Sequence, residues 1–386
     1  MYLPTFTITN KILANIGRIE AAKEVIENAP LIPAWEATFR KEAIIRTVHH
    51  GTHIEGNELD YSQAERVVEV AEGDRHVTSA TSAAKESGVV ARDRDIQEVL
   101  NYRNVLSFIE RFQKSIDKKQ FIGRLSSEND HIIESADGKL TEDVLLHIQK
   151  LTVEKIFMPH ECGLFRKTQV VIKNSRTGEV TFRPPPAIEV PYLIRDFLKW
   201  LNETSRESLH SVLKAGIVHY ELVRIHPFLD GNGRASRASA LLLLFLDGYD
   251  IKRFFSLEEY YDKDPMEYYH SLQEVEKKEG NLTSWLEYFS QGIAIELNNV
   301  KEKVKSLSRD IKLKQDLGGK QVALTERQLK LIEHIQKIGF LQNKMFFEIE
   351  PMVSEDTILR DLKDLIDKGI IEKKGRTKGA RYVLRK

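Results

Sequence analysis

The chain has 386 residues with one cysteine, Cys162, and equal numbers of basic and acidic side chains, 58 Lys or Arg and 58 Asp or Glu. This length exceeds that of one typical domain, and the balanced charge provides no global attraction to nucleic acid or to an anionic membrane. A single cysteine excludes an internal disulfide framework and indicates a reducing compartment.

The N-terminal part of the chain has the periodicity of α-helices. Apolar residues recur three and four positions apart in segments 12–26, 37–48, 64–70 and 99–112. We therefore expect a mainly α protein whose residues 1–95 form a helical N-terminal domain. The sequence does not open on a basic region followed by an apolar stretch, and no uncharged run approaches the ~20 residues of a membrane span. These patterns predict a cytoplasmic protein without a membrane segment.

Four potential metal ligands cluster where the second helix is expected to end: His49, His50, His53 and Glu55. Their spacing matches no familiar zinc pattern, although a metal site stays an alternative. In another interpretation, Glu55 is a solvated charge beside a helix stop at Gly56.

The composition changes between positions 73 and 95, where small and polar residues dominate. A segment of this composition has little apolar surface to bury. We therefore expect a linker or mobile loop here.

Residues 168–186 break the helical pattern. Their sequence, TQVVIKNSRTGEVTFRPPP, places β-branched residues on both sides of a turn-rich stretch at positions 174–178. This pattern predicts a β-hairpin. The three prolines cannot continue strand pairing, and an amphipathic helix is expected next, over residues 192–201.

The run from His226 to Arg237, HPFLDGNGRASR, has the composition of a site for a triphosphate. Gly231 and Gly233 predict a tight turn, and the apolar stretch that follows predicts a helix. The amide groups at the start of a helix point outward and carry partial positive charge, which favours bound anions. Glycines let the main chain approach a phosphate closely because they carry no Cβ.

Four side chains of this run can complete such a site. Arg234 and Arg237 lie on one face of the predicted helix, within reach of one anion. Asp230 can bind Mg²⁺ while phosphate oxygens and water complete the coordination shell. The imidazole of His226 can accept a proton from an attacking hydroxyl near neutral pH. The alternative is a helix N-terminus with ordinary surface arginines, which leaves both glycines unexplained.

Charged residues dominate positions 297–320, where we expect a helical linker that ends at the glycine pair 318–319. A separate module is expected over residues 321–386. A capping box opened by Thr325 begins one helix, Ser354 precedes a second, and Gly369 ends it. A strand, a turn and a strand follow. This order resembles a winged helix, a fold often found in DNA-binding regulators.

Charge supports DNA binding by this module only in part. Residues 366–386 contain eight Lys or Arg and two Asp or Glu, so a wing here can follow a phosphate backbone. The first turn of the expected recognition helix instead carries Glu355 and Asp356, which phosphates repel. DNA binding through residues 321–386, dimerisation, docking of a target protein and a merely solvated face all stay open.

Residues 226–237 resemble the signature of the Fic (Fido) family, His-Pro-Phe-x-Asp/Glu-Gly-Asn-Gly-Arg-x-x-Arg, and match it at every fixed position. The resemblance implies a helical Fic core over residues 96–296, with its catalytic part at about 140–291. It also implies that the hairpin is a flap, whose residues 168–183 pair with an extended segment of a target protein. Family members typically transfer AMP from ATP to a hydroxyl of a target protein and release pyrophosphate.

The resemblance also assigns roles within the run. His226 would be the base that activates the hydroxyl, Asp230 the ligand of a Mg²⁺ cofactor, and Phe228 the anchor of the loop in the core. Arg234 and Arg237 would bind the β and γ phosphates. The ATP-binding residues of the run would be Gly231, Asn232, Gly233, Arg234, Ala235, Ser236 and Arg237.

Positions outside the run complete the nucleotide site in relatives. Gln169 and Val170 occupy flap positions near the nucleotide, and a Tyr-Tyr pair lines the adenine pocket. That pair aligns best with Tyr268 and Tyr269. We expect Tyr268 to contact the adenine, with core packing as the alternative.

Residues 52–58, THIEGNE, resemble the inhibitory helix found N-terminal to the core in many family members. There a glutamate pairs with the second arginine of the signature and occupies the place of the γ phosphate. In this chain, Glu55 would pair with Arg237. The family pattern Ser/Thr-x-x-x-Glu-Gly/Asn has a hydroxyl residue where this chain has Gly51.

Two classes of function follow. In the first, the chain is a protein adenylyltransferase that Glu55 restrains. In the second, it is a DNA-binding regulator that uses the Fic core as a nucleotide sensor. The presence of both His226 and Asp230 favours the enzyme. Transfer of another phosphate-containing group, removal of AMP, self-modification of hydroxyls in residues 73–95, and a homodimer stay open.

Overall fold

The computed structural model describes residues 2–29, 31, 33–73, 80–117, 128–173, 178, 180–205, 207–316, 325–349, 353–375 and 380–385. Residues Met1–Lys305 form one compact unit and Ser306–Lys386 a second. The chain is mainly α, as predicted. Among the described segments, no helix has both the length and the apolar character needed to cross a bilayer.

The helices that begin in the first unit precede and follow one hairpin. They are α1 (Asn10–Glu27), α2 (Pro33–His53), α3 (Tyr61–Gly73), α4 (Ala80–Glu86), α5 (Asp93–Asp117), α6 (Glu128–Ala136), α7 (Glu142–Val153), α8 (Val190–Glu203), α9 (Ser211–Ile225), α10 (Asn232–Leu246), α11 (Leu257–Lys263), α12 (Pro265–Lys277) and α13 (Thr283–Asp316). The hairpin consists of β1 (Ile172–Lys173) and β2 (Val180–Phe182).

The core of the first unit lies around α9 and α10, the two helices that the HPFLDGNGRASR run joins. α10 packs against α9, α7 and α5. On another side of α9, the indole N–H of Trp285 donates to the Gly216 carbonyl at 2.7 Å. A Cβ on Gly216 would lie only 2.9 Å from Leu286, so α13 approaches α9 closely because this position is glycine. Both helices that flank the run are therefore held by the core.

α2 carries the segment that resembles an inhibitory helix. It packs against α3, α5 and α11, and its Ile45 and Val48 are fully buried. The chain leaves the helix at Gly56, whose φ of 87° is a left-handed conformation that suits glycine at a helix end. Packing on three helices thus fixes where the end of α2 lies.

The predicted linker at residues 73–95 is partly wrong, because α4 forms within it and α5 begins at Asp93. α4 packs against α3 and α5, with Ala84 fully buried and Val89 nearly so. Alanine favours helix, and packing against two neighbours stabilises a segment that has few apolar residues of its own. Residues 74–79 of the predicted linker lie outside the described residues.

The predicted hairpin and the helix after it are both confirmed. β1 and β2 pair antiparallel, with Ile172 opposite Phe182 and Lys173 opposite Val180, so the register shifts at a bulge. Residues 174–177 of the predicted turn lie outside the described residues. α8 buries Ile194 and Leu201 on one face, as an amphipathic helix does.

The second unit has its own core and a hairpin. Its elements are α14 (Glu326–Ile338), α15 (Phe346–Ile349), α16 (Glu355–Asp367), β3 (Ile371–Lys374) and β4 (Arg381–Leu384). The predicted capping box is confirmed, because the side chains of Thr325 and Gln328 each accept from the other's backbone amide. Leu331, Leu362 and Tyr382 belong to its buried core. The glycine pair 318–319 and turn residues 376–379 lie outside the described residues.

Candidate active site

The loop between α9 and α10 is fixed by its own hydrogen bonds. His226 follows the last turn of α9 in a left-handed conformation, with φ 50° and ψ 60°, so the chain turns sharply there. The side chain of Asn232 donates to the Phe228 carbonyl and accepts from the Phe228 amide, both at 2.9 Å. Phe228 is buried and stacks on Phe165. These contacts therefore fix the loop and the positions of the side chains that it carries.

His226 is arranged to accept a proton. Its Nδ1 lies 3.3 Å from the Val223 carbonyl. Because a carbonyl can only accept, we assign the ring proton to Nδ1, which leaves the lone pair of Nε2 available. Burial lowers the pKa of His226, while the Val223 carbonyl and the charges of Glu55 and Asp230 oppose that shift. The imidazole is therefore neutral near pH 7, as a general base must be.

The start of α10 has the form of an anion site. Gly231 is its N-cap, with a left-handed φ of 79°. The backbone N–H groups of residues 232–234 lie in the first turn of the helix. No carbonyl within the helix can accept a hydrogen bond from them. A Cβ on Gly233 would lie 2.0 Å from Oε1 of Glu55, so glycine here leaves room for a carboxylate at the helix start.

Ala235 and Ser236 contribute to the helix itself. The Ala235 amide donates to the Gly231 carbonyl at 2.9 Å, and the Ser236 hydroxyl donates to the Asn232 carbonyl at 2.7 Å. Both side chains are buried. The Ala235 amide and the Ser236 hydroxyl therefore make their hydrogen bonds within the first two turns of α10.

Both arginines of the run are buried and incompletely hydrogen-bonded. Arg234 is 2% exposed and Arg237 3%. Within the part of the chain that the structure describes, Nε and Nη1 of each have no hydrogen-bond partner. Leaving buried charged donors without acceptors is costly. The site therefore favours a ligand that brings several acceptor oxygens, as a phosphate does.

The end of α2 lies directly against Arg237. Nη2 of Arg237 donates to Oε1 of Glu55 at 2.9 Å and to the Gly51 carbonyl at 2.8 Å. A Cβ on Gly51 would lie 2.4 Å from the ring of Tyr102, whose hydroxyl donates to the buried Glu258 at 2.8 Å. Glycine at position 51, which departs from the family pattern, thus lets α2 pack against Tyr102.

The Asp230 carboxylate contacts several donors. Its Oδ2 lies 2.8 Å from Nη2 of Arg94, and its Oδ1 accepts from the Gly231 amide at 2.5 Å. Arg94 also donates to Glu98 at 3.1 Å, and Glu98 lies 3.6 Å from Nη1 of Arg234. Sequence reasoning missed Arg94 and Glu98, whose only signal is a spacing of four residues on a charged helix.

The two tyrosines of the expected adenine pair have different surroundings. Tyr268 is 1% exposed, and its hydroxyl lies 2.9 Å from Nε2 of His219 in the core. Tyr269 is 41% exposed, and its hydroxyl donates to the Ile54 carbonyl at 3.3 Å. Tyr269 therefore contacts the inhibitory-like segment directly.

The flap residues lie at the base of the hairpin. Val170 is partly buried just before β1. The side-chain amide of Gln169 donates to the Pro184 carbonyl at 2.9 Å, which joins the two ends of the flap.

The histidines at the end of α2 bind a carboxylate. Nδ1 of His50 and Nδ1 of His53 lie 2.7 and 2.8 Å from the carboxylate of Asp262. Burial, together with the two neighbouring histidines, lowers the pKa of His49 to about 4. No group of three or more His, Cys, Asp or Glu in the described ranges could hold a metal ion, so the metal alternative has no support here.

Part of the chain is similar in sequence to known proteins. Residues 139–244 match the model of the Fic/DOC family. The chain is 30% identical over 210 residues to the protein adenylyltransferase Fic of Drosophila grimshawi. That alignment covers 54% of this chain and 35% of the relative, so the chain spans about a third of the relative's length.

Solved structures share the fold. A crystal structure of a Fic family protein from Desulfovibrio desulfuricans matches with a TM-score of 0.59 and 23% identity, over 99% of this chain and 98% of that one. Fic-1 of C. elegans matches with a TM-score of 0.51 and 21% identity, over 77% of this chain and 74% of that one. Residues 139–244 are thus similar to the Fic/DOC family, and the chain shares the mainly α fold of these solved Fic proteins.

Proposed function

We propose that the chain is a protein adenylyltransferase, which transfers AMP from ATP to a hydroxyl side chain of a target protein and releases pyrophosphate. The observation that carries the proposal is the pair of buried arginines at the start of α10, Arg234 and Arg237, each with two nitrogens that lack a hydrogen-bond partner among the described residues. They lie beyond the loop that holds a neutral His226. Relatives named protein adenylyltransferase Fic support the same activity.

Each step of the reaction has a residue that can perform it. Nε2 of His226 accepts the proton of the target hydroxyl as its oxygen bonds to the α phosphorus. The bond from the α phosphorus to the bridging oxygen of the β phosphate breaks, and pyrophosphate leaves with the electron pair. Arg234, Arg237 and the first amides of α10 stabilise the charge that develops on the leaving group.

Asp230 would hold Mg²⁺. A single, partly exposed carboxylate fits this ion, because phosphate oxygens and water usually supply the other ligands. Arg94, which is exposed, must first release Oδ2. When bound, Mg²⁺ would neutralise charge on the phosphates of ATP.

Glu55 is proposed to restrain this activity. Its carboxylate occupies one donor of Arg237, and its Oε1 fills the space above Gly233 at the helix start. A phosphate needs that donor and that space, and the negative charge of Glu55 repels it. ATP with its γ phosphate against Arg237 therefore requires the end of α2 to move.

The position of a label on ATP tests the reaction itself. The Glu55→Gly variant is incubated with Mg²⁺, cell lysate and ATP labelled on either the α or the γ phosphate. The proposal predicts protein-bound label from the α phosphate that is lost when His226→Ala is added, and γ-phosphate label no greater than the kinase background of lysate with that double variant. Label from the γ phosphate above that background would indicate phosphoryl transfer and contradict AMP transfer.

A further inference from the structure

Arg166 is a buried arginine at the base of the flap. It is 2% exposed, and no carboxylate of the described residues pairs with it. Burial alone lowers the pKa of Arg166. Removing a guanidinium from water without a counter-ion is costly, so its hydrogen bonds must compensate for lost hydration.

Those hydrogen bonds go to backbone carbonyls of the flap and of the loop between α9 and α10, which we call the catalytic loop. Nε of Arg166 donates to the backbone carbonyl of His226 at 2.8 Å. Nη1 donates to the carbonyl of Thr168 at 3.2 Å, and Nη2 donates to the carbonyl of Pro185 at 2.5 Å. The backbone amide of Arg166 also donates to the Pro227 carbonyl at 2.8 Å. One planar group therefore joins the chain four residues before β1, the chain three residues after β2 and the backbone of His226.

The position of His226 depends on such contacts. A residue other than glycine holds a φ of 50° only where its surroundings fix it. The bond from Arg166 fixes the peptide group that follows His226. Because both ends of the flap bind the same guanidinium, the flap cannot move far relative to His226 without breaking these bonds.

We propose that Arg166 is a positioning residue, which fixes the flap at a set distance from His226 so that the hydroxyl of a flap-bound segment meets the base. This inference rests on the proposed transfer to a protein hydroxyl. Lysine cannot replace arginine here, because a compact ammonium group cannot reach carbonyls on three sides of a planar fork.

Three substitutions in the full chain carrying Glu55→Gly separate the contributions of Arg166. Arg166→Lys keeps the charge but loses the fork, and Arg166→Gln loses both. Lys167→Gln is the matched control, because Lys167 is the exposed neighbour. Amide hydrogen exchange reports on residues 168–173 and 180–183. NMR titration of the His226 imidazole, assigned with His226→Ala, reports its pKa, and α-labelled ATP reports transfer to lysate proteins.

In Arg166→Lys we expect flap amides to exchange about tenfold faster or more, unchanged exchange in α9 and α10, and slower AMP transfer. The charges that face His226 are those of Glu55, Arg166 and Asp230, and Glu55→Gly removes the first of them. The pKa of His226 should therefore rise in Arg166→Gln and stay unchanged in Arg166→Lys. Lys167→Gln should change neither exchange nor pKa.

Two results would overturn the positioning role. One is unchanged flap exchange in folded Arg166→Lys, and the other is equally accelerated exchange in α9 and α10, which would mean general support of the core. If the parent Glu55→Gly chain transfers no AMP, the proposed function fails. The exchange and titration measurements still decide whether Arg166 fixes the flap.

Discussion

One nitrogen of Arg237, Nη2, donates to the Glu55 carboxylate at 2.9 Å and also to the Gly51 carbonyl at 2.8 Å. Nε and Nη1 of the same guanidinium have no hydrogen-bond partner among the described residues. The end of α2 therefore satisfies this buried cation only in part. A phosphate offers more acceptor oxygens, so the proposed function predicts that nucleotide displaces Glu55 from Arg237.

Transfer by the Glu55→Gly chain should persist below pH 6.5. Burial lowers the pKa of His226 from its ordinary 6.5, and the base is active only when neutral. As pH falls, kcat/KM should decline only when pH passes through the lowered pKa. The charge of Glu55 raises this pKa, so its removal moves the decline to still lower pH. A decline of kcat/KM that already begins above pH 6.5 as the pH is lowered would argue against His226 as the base.

Gly51→Ala should loosen the end of α2. The new Cβ would lie 2.4 Å from the ring of Tyr102, and overpacking of this kind costs roughly 1–3 kcal/mol. We expect a lower melting temperature and faster AMP transfer than in the unsubstituted chain. Gly17→Ala is the control, because nothing lies within 4 Å of its added Cβ. Equal effects of the two substitutions would show that contact with Tyr102 is unimportant.

Arg94→Met should strengthen divalent cation binding in the presence of ATP. Arg94 places its guanidinium 2.8 Å from Oδ2 of Asp230, where it competes with a cation. Mn²⁺ titration followed by electron paramagnetic resonance measures the affinity directly. Arg92→Met is the control, since Arg92 is similarly exposed but pairs with Asp95. Unchanged Mn²⁺ affinity in Arg94→Met would exclude competition at Asp230.

Asn232→Ala should destabilise the catalytic loop. It removes two hydrogen bonds and leaves the buried amide and carbonyl of Phe228 without their partner. Each unsatisfied buried group costs about 1–3 kcal/mol. Urea denaturation should show reduced stability, and calorimetry should show weaker ATP binding. Unaltered ATP affinity would indicate that the loop keeps its shape without the two hydrogen bonds of the Asn232 side chain.

The parts of the fold that depend on local chemistry were predictable from the sequence. Glycine positions defined the turn before α10, and β-branched residues on both sides of a turn defined the flap. Arg166 and Arg94 were not predictable, because Arg166 binds His226 across 60 positions and Arg94 binds Asp230 across 136. Such contacts depend on how the helices pack against one another. The identities of the two residues in a pair do not reveal that packing. α4 was missed for the same reason, since burial between neighbours stabilises it.

The most direct test compares AMP transfer by the unsubstituted chain, Glu55→Gly and Glu55→Gly/His226→Ala. Each is incubated with Mg²⁺, lysate and ATP labelled on the α phosphate, and protein-bound AMP is identified by mass spectrometry. A hydrogen bond to a charged group is worth roughly 1.5–3 kcal/mol, so Glu55→Gly should transfer AMP about 10- to 100-fold faster than the unsubstituted chain. The double variant should transfer none. Equal rates with and without Glu55 would contradict restraint by this residue, and undiminished transfer by the double variant would contradict catalysis by His226.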